Sequence, residues 1–347
     1  MARPNASRAR RPATIKDVAA SARCSPATIS RALNNHASVT DAMRARVLRA
    51  AQALGYHPDG VAKSLRGKRT FSLGLIVRDI ANPNFSMLCA AVASRAAEHG
   101  YTVFMCSSAW SVDAEREIFR AMIERRFDGV VLLTADEAAS DLRMLLDAGI
   151  PVVLVESLAR QARQAVDSIL SDNLGGAREA GRYLIGLGHR RIAVLAGPPT
   201  VAPGRERLRG FLDACARAGA PVLPERIAVG PFSSDHGYHG TLALMKGADP
   251  PTALFCSSNQ ILHGALAALR ESGKRIPDEI SVVSFDESTA AMVHDPSITV
   301  VVRDVAAIGT QAVALLRRRI AGRGRVSART VLVPTRLDIR GSCQRLV

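Results

Sequence analysis

The sequence predicts an α/β protein: a small, basic three-helix unit followed by a larger core of two doubly wound parallel sheets. Three observations carry that reading. Residues 13–57 hold short amphipathic helices with capping signals and no strand pattern. From Phe71 onward the pattern changes to short apolar runs alternating with amphipathic helices: LGLIV, YTVFMC, DGVVLL, IPVVLVE, then RRIAVLAG, TALFCSS, EISVVSFD and SITVVV. Uniformly apolar strands alternating with helices belong to parallel sheets covered on both faces. The runs also fall into two halves of comparable size, so two lobes with a cleft between them are expected, with ligand groups at the C-terminal strand ends.

Composition agrees. At 347 residues with 48% apolar side chains, the chain has ample material for one small domain and one bilobed one. Its net charge of +15 is unevenly spread: residues 1–70 hold fourteen Lys/Arg against three Asp/Glu, whereas the other 277 hold thirty-two against twenty-eight. Positive charge gathered on the small unit suits a surface that displaces counterions from nucleic-acid phosphates. A membrane partner is not expected, because no lipid-facing stripe or aromatic cluster accompanies the charge. The six cysteines lack a paired spacing and read as reduced thiols rather than a disulfide framework or zinc site. The basic start, MARPNASRARRPA, is not followed by an apolar run of signal-peptide length, and no stretch of eighteen apolar residues occurs, so a cytoplasmic protein is expected.

The stretch ATIKDVAASARCSPATISRALNN, residues 13–35, organises the small unit. Thr14 can cap a first helix, with Asp17 in its positively polarised first turn and Ile15, Val18 and Ala19 as its apolar stripe. Ser25 caps a second helix that opens with Pro26, where a missing N–H costs little. Ile29, Ala32 and Leu33 face inward; Ala27, Thr28, Ser30, Arg31 and Asn34 remain outside. This is a helix-turn-helix whose second helix can enter a DNA major groove. Pro26 and Ala27 are short enough for apolar contact with a base, and Arg31 is the expected donor to a base edge or phosphate. A third helix runs from Val39-Thr40 through Met43, Val47, Leu48, Ala51 and Leu54 to a stop at Gly55.

The blocks ATIKDVA, SPATISRALN and ALGYHPDGVAKSLR resemble the DNA-binding head of the lactose-repressor/galactose-repressor (LacI/GalR) family of bacterial transcription regulators, and the resemblance continues almost to the C-terminus. It implies a basic tail over 1–12, a helix-turn-helix domain over 13–57, a hinge over 58–69 and a two-lobed, periplasmic-binding-protein-like core over 70–342 for effector binding and dimerisation. It implies a homodimer on a palindromic double-stranded operator, with a sugar or sugar acid as effector and no cofactor, metal or catalysis. In the family the hinge becomes helical when two subunits meet on DNA, and Leu65 matches the leucine that wedges into the minor groove there. Three departures stand in the head and hinge: Gly60 raises the cost of hinge helix formation by roughly 1 kcal/mol, Asp59 replaces the usual Asn, and Arg23 occupies a turn position usually held by Gly or Asn. The resemblance also implies that each lobe is discontinuous in sequence.

For the cleft, the same resemblance nominates Asn84 and Phe85 in RDIANPNFSML, Asp172 in SDNLGGA, Arg207 in GRERLRGF and Phe232 in GPFSSDHGY. It adds Asn259 in CSSNQILHGAL, where sugar-binding relatives carry an acid, and Asp286 in VVSFDE. An arginine fork suits bidentate binding. Beside a lobe lacking the acid at Asn259, Arg207 tilts the expectation toward an acidic or substituted sugar. Replacing Arg207 or Asp286 is expected to abolish the effector response and spare effector-free DNA binding.

Two other functional classes fit the sequence less well. A transport-type binding protein is disfavoured by the helix-turn-helix. A sugar-processing enzyme is disfavoured because GxxxxGK[ST], GxSxG and HExxH are all missing from the sequence. His236 and His239 could share a helix face, but no third ligand stands at a sensible spacing.

Overall fold

The computed structural model describes residues 11, 13–33, 36–56, 69–158, 165–246, 249–322 and 327–346. The chain divides into two compact units, Met1–Thr70 and Phe71–Val347. The small unit holds α1 (Ile15–Ser21), α2 (Pro26–Leu33) and α3 (Asp41–Ala53) around a core of Val18, Ala22, Ile29, Ala32, Val47 and Ala51. Thr14 and Asp17 form a reciprocal capping box on α1, satisfying two otherwise orphaned N–H groups. The Ser25 hydroxyl accepts the Thr28 N–H at 3.1 Å, and the Thr40 hydroxyl caps α3. Arg23 takes a left-handed backbone (φ 50), the strain expected of an arginine in that turn, and Gly55 ends α3 at φ 61. Leu48 and Leu54, which continue the apolar rhythm of α3, are exposed. Asn34 and the expected hinge from its start to Lys68, with Asp59, Gly60 and Leu65, lie outside the described residues.

The large unit opens with β1 (Ser72–Val77), β2 (Thr102–Ser107), β3 (Gly129–Leu132), β4 (Val152–Val155) and β5 (Asp167–Ser171). It continues with β6 (Ile192–Ala196), β7 (Ile227–Val229), β8 (Ala253–Cys256), β9 (Ser281–Phe285), β10 (Thr299–Arg303), β11 (Thr330–Val333) and β12 (Thr335–Asp338). They form two six-stranded sheets, ordered β11-β5-β4-β3-β1-β2 and β12-β10-β9-β8-β6-β7. Every pairing is parallel except β10 with β12. Around the first sheet pack α4 (Pro83–Ala97), α5 (Val112–Glu124) and α6 (Arg143–Asp147). The second carries α7 (Asn173–Gly186), α8 (Ala202–Arg217), α9 (Ser234–Met245), α10 (Asn259–Glu271) and α11 (Thr289–Val293). The last helix, α12 (Val305–Ala321), returns to the first lobe, where Ile308, Ala312 and Leu316 join its core.

The chain therefore crosses between lobes three times, after β5, after β10 and between β11 and β12, so both lobes are discontinuous in sequence. Two expectations need correction. YTVFMC is not a strand buried on both faces: β2 is a sheet edge, with Phe104 and Met105 exposed. The second sheet is not wholly parallel, because the antiparallel β12 closes one edge.

Candidate functional site

On α2 the described candidates divide by exposure: Pro26, Ala27 and Arg31 are exposed, while Thr28 and Ser30 are half-buried. Beneath them Ile29 and Ala32 are fully buried and fix the helix to α1 and α3. The helix thus presents two short residues at its N-terminal end and one long cation a turn later. A backbone end that can approach a base closely, followed by a donor that reaches, is a groove-reading arrangement.

In the large unit a cavity lies between the lobes. Its wall from the first lobe consists of Arg78 and Asp79 after β1, Asn82 and Phe85 at the start of α4, Trp110 after β2 and Glu156 after β4. From the second lobe come Pro203 and Arg207 of α8, Phe232 after β7, Ser258 and Asn259 at the start of α10, and Asp286 after β9. Arg303 enters at the end of β10, where the chain crosses back. Nearly all sit at C-terminal strand ends or the helix starts that follow, where parallel sheets converge their polar groups.

A buried ion network ties the two lobes together. Arg207 Nη1 donates to Asp286 Oδ2 at 2.9 Å and to the Ser257 carbonyl at 2.8 Å, and its Nε donates to Asn173 Oδ1 at 2.8 Å. Arg303 donates to the other oxygen of Asp286 and, at 3.2 Å, to Glu156 Oε1. Glu156 also accepts from the Ser171 N–H at 3.0 Å and Asn173 Nδ2 at 2.9 Å. Burial alone would raise both carboxyl pKa values. The guanidinium groups of Arg303 and Arg207 outweigh it for Glu156, as Arg207 and Arg303 do for Asp286, and hold both below their ordinary values. Glu156 (φ 49) and Asp286 (φ 75) both adopt left-handed backbones, strain that this pairing over-determines. Burial pulls Arg78 down to about 10, so it stays charged at neutral pH; its donors reach the carbonyls of Thr134 and Glu156 and the Ser157 hydroxyl.

Apolar recognition comes from three rings. Trp110 stands 6.0 Å from Phe232 across the cleft, with the Arg78 guanidinium 5.2 Å from its centroid, and Phe85 adds a third face. Asn259 Nδ2 donates to Asn82 Oδ1 of the opposite lobe at 3.2 Å. Asn82 Oδ1 also caps α4 by accepting the Asn84 N–H at 3.0 Å, which fixes both amide orientations. The fully buried Asn259 Oδ1 is then left with no partner, facing a cavity that can supply a donor.

Comparison with known proteins agrees with both halves. Residues 14–59 match the family of bacterial regulatory proteins of the lacI type, and residues 182–343 match a periplasmic binding protein-like domain. The HTH-type transcriptional repressor CytR of Escherichia coli (strain K12) is 33% identical over 341 residues, 96% of this chain and 97% of the relative. The chain belongs to the lacI family.

Among solved structures, a lac repressor dimer bound to operator and the anti-inducer ONPF matches this lacI-family chain with a TM-score of 0.84 at 27% identity, over 96% of this chain and 100% of that one. A transcriptional regulator CelR–cellobiose complex matches at 0.74 and 30% identity, over 95% and 99%. The lacI-family protein is accordingly a DNA-binding transcriptional regulator under effector control, and no helix among the described residues is long and apolar enough to cross a membrane.

Of the expected effector residues, Phe85, Arg207, Phe232, Asn259 and Asp286 come together on the cavity wall. Asn84 and Asp172 do not. Asn84 is buried and is not among the residues that line the cavity, and the Asp172 carboxylate caps α7 by accepting the Gly175 N–H at 2.8 Å. Sequence reasoning passed over Arg78, Asp79, Asn82, Trp110, Glu156, Pro203 and Arg303. The signal was available for Glu156 and Arg303, which end the apolar runs VVLVE and VVVR. Arg207 is not the free cation expected for an acidic ligand, because Asp286 already neutralises it at 2.9 Å.

Proposed function

We propose that the protein represses transcription as a dimer on a palindromic operator, read by Pro26, Ala27, Thr28, Ser30 and Arg31, and that a sugar-like effector in the cleft sets its operator affinity. The observation that carries this is a groove-reading helix and a two-lobed, polar and aromatic cleft in one chain. The cavity holds three arginines and three carboxylates, so its formal charge is balanced. With Phe85, Trp110 and Phe232 supplying faces and Asn259 Oδ1 an unmet acceptor, the lining favours an uncharged polyhydroxylated ligand over a sugar acid.

The cleft binds its ligand without converting it. Its two buried acids are ionised and paired with arginines, so neither is poised to donate a proton. Cleft closure reorients the first lobe, which follows the hinge in sequence, and a ligand shifts operator affinity only by its differential affinity for the two cleft states.

The test is a gel shift on DNA flanking the gene, with and without a panel of neutral sugars and sugar acids. Trp110, the single tryptophan, provides a parallel fluorescence titration of the cleft. Specific retardation that one neutral sugar changes, with matching Trp110 quenching and recovery of the sugar intact, is expected. Retardation abolished equally by non-specific competitor DNA would overturn the operator reading, and a response only to sugar acids would overturn the ligand class.

A further inference from the structure

The helix that carries Arg207 begins without a cap of its own. Its N-cap residue is Val201, which offers no side-chain acceptor, and the N–H of Ala202 opens the positive end of a 16-residue helix. That N–H is met from the other lobe: Glu137, in the loop after β3, accepts it on Oε1 at 2.9 Å. Glu137 Oε2 accepts from Arg205 Nη2 at 2.9 Å, and the Glu137 N–H donates to the Thr200 carbonyl at 3.2 Å. From its own lobe, Oε1 takes the Leu158 N–H at 2.9 Å, which holds the carboxylate in place. The side chain is 1% exposed.

We propose that Glu137 is a positioning residue, a helix cap lent by the first lobe to the effector-binding helix of the second. The cap exists only while the lobes are together. Parting them leaves the α8 N-terminus bare, strips the carboxylate of two contacts and breaks the backbone bond from Glu137 to Thr200, so Glu137 biases the ligand-free cleft toward closure and aims Arg207. Its loop is anchored at the cavity wall. The Thr134 carbonyl accepts from Arg78 Nε at 2.8 Å, and the Ala135 N–H donates to the buried Glu115 at 2.7 Å. A ligand pressing on Arg78 and Trp110 therefore acts on the same loop that holds α8. The inference rests on the effector-site reading only for its regulatory consequence.

Full-length protein without effector or DNA provides the test, so failure of the clasp and failure of the effector reading register separately. Trp110 lies across the cleft from Phe232, and acrylamide quenching of its fluorescence reports cleft opening. In Glu137→Ala, quenching is expected to rise and emission to shift red. Amide exchange over residues 200–206 should accelerate by about tenfold, the factor an ordinary lost cap produces, with exchange in α4 and α10 unchanged. Glu137→Gln keeps an acceptor for Ala202 but loses the charge on Arg205, and should fall between; it also serves if the alanine variant does not fold. The double variant Glu137→Arg, Arg205→Glu restores an ion pair without a cap and should stay open. Wild-type quenching and exchange in folded Glu137→Ala or Glu137→Gln would overturn the proposal, as would full restoration by the double variant.

Discussion

Replacing Asp286 by alanine removes the one carboxylate shared by two buried guanidinium groups, Arg207 and Arg303. All three side chains are at most 7% exposed, so solvent cannot take over the lost contacts. Breaking a buried pair by deleting one partner costs about 3–5 kcal/mol, because it strands an uncompensated charge. For a cooperative unit of this size, that lowers the melting temperature by about 5–10 °C. The sequence-based expectation that Asp286→Ala would touch only the effector response therefore needs revision: the variant should also lose stability in the large unit. Urea unfolding followed by Trp110 fluorescence reads that unit alone, since the chain has a single tryptophan. The folded-state pKa of Asp286 is depressed, so its stabilisation is fully present above its unfolded value of about 3.9. It is lost as pH falls through the folded-state value. The gap between wild type and variant should stay constant from pH 8 to pH 5 and shrink below about 4. A gap under about 1 kcal/mol at pH 7, or one that widens in acid, would refute the reasoning.

Arg31→Ala should weaken specific operator binding by about 1–3 kcal/mol at matched salt, read by gel shift; unchanged affinity removes Arg31 from base or phosphate contact. Thr14→Ala dismantles the capping box on α1 and should cost the small unit about 0.5–2 kcal/mol, seen as faster amide exchange over residues 15–21 in the full chain. Phe232→Ala should weaken binding of the responsive sugar without changing operator affinity in its absence, and equal sugar affinity would place the ring outside the ligand contact. Gly264→Ala brings a Cβ against the Ser234 carbonyl where α9 and α10 touch, and should destabilise the large unit by about 1–3 kcal/mol in the same urea assay. A neutral result there would mean the helices separate freely.

Some features were local enough to be written in neighbouring residues. The cap at Thr14, the turn at Arg23 and the buried face of Ile29 and Ala32 each depend on side chains within a few positions, so periodicity and capping chemistry expose them. The central strands of both sheets were equally plain, because a strand covered on both faces has little room for polar residues. Edge strands escape that constraint: β7 is three half-exposed residues, and β2 reads as core while exposing Phe104 and Met105. β5 runs against the rule, since Asp167 is fully buried. Arg319 neutralises it at 2.6 Å from 152 positions away, a partnership no local pattern encodes.

The site divides along the same line. Phe85, Phe232 and Asp286 were legible through the motifs that carry the family resemblance, whereas Asp172 stands in an equally good motif and caps its own helix. What Arg207 does was decided only in three dimensions: Asn173 at the start of α7, the Ser257 carbonyl after β8 and Asp286 after β9 lie far apart in sequence, converge on it and absorb its charge. The sequence by itself determined a helix-turn-helix head and an α/β core, since both rest on the spacing of apolar residues along one segment. The tertiary structure alone decided that Glu156, Arg303, Asp286 and Arg207 form one continuous network and that Glu137 caps a helix of the other lobe. Long-range charge pairing depends on which strand ends the three crossings bring together, and burial then makes those few contacts strong.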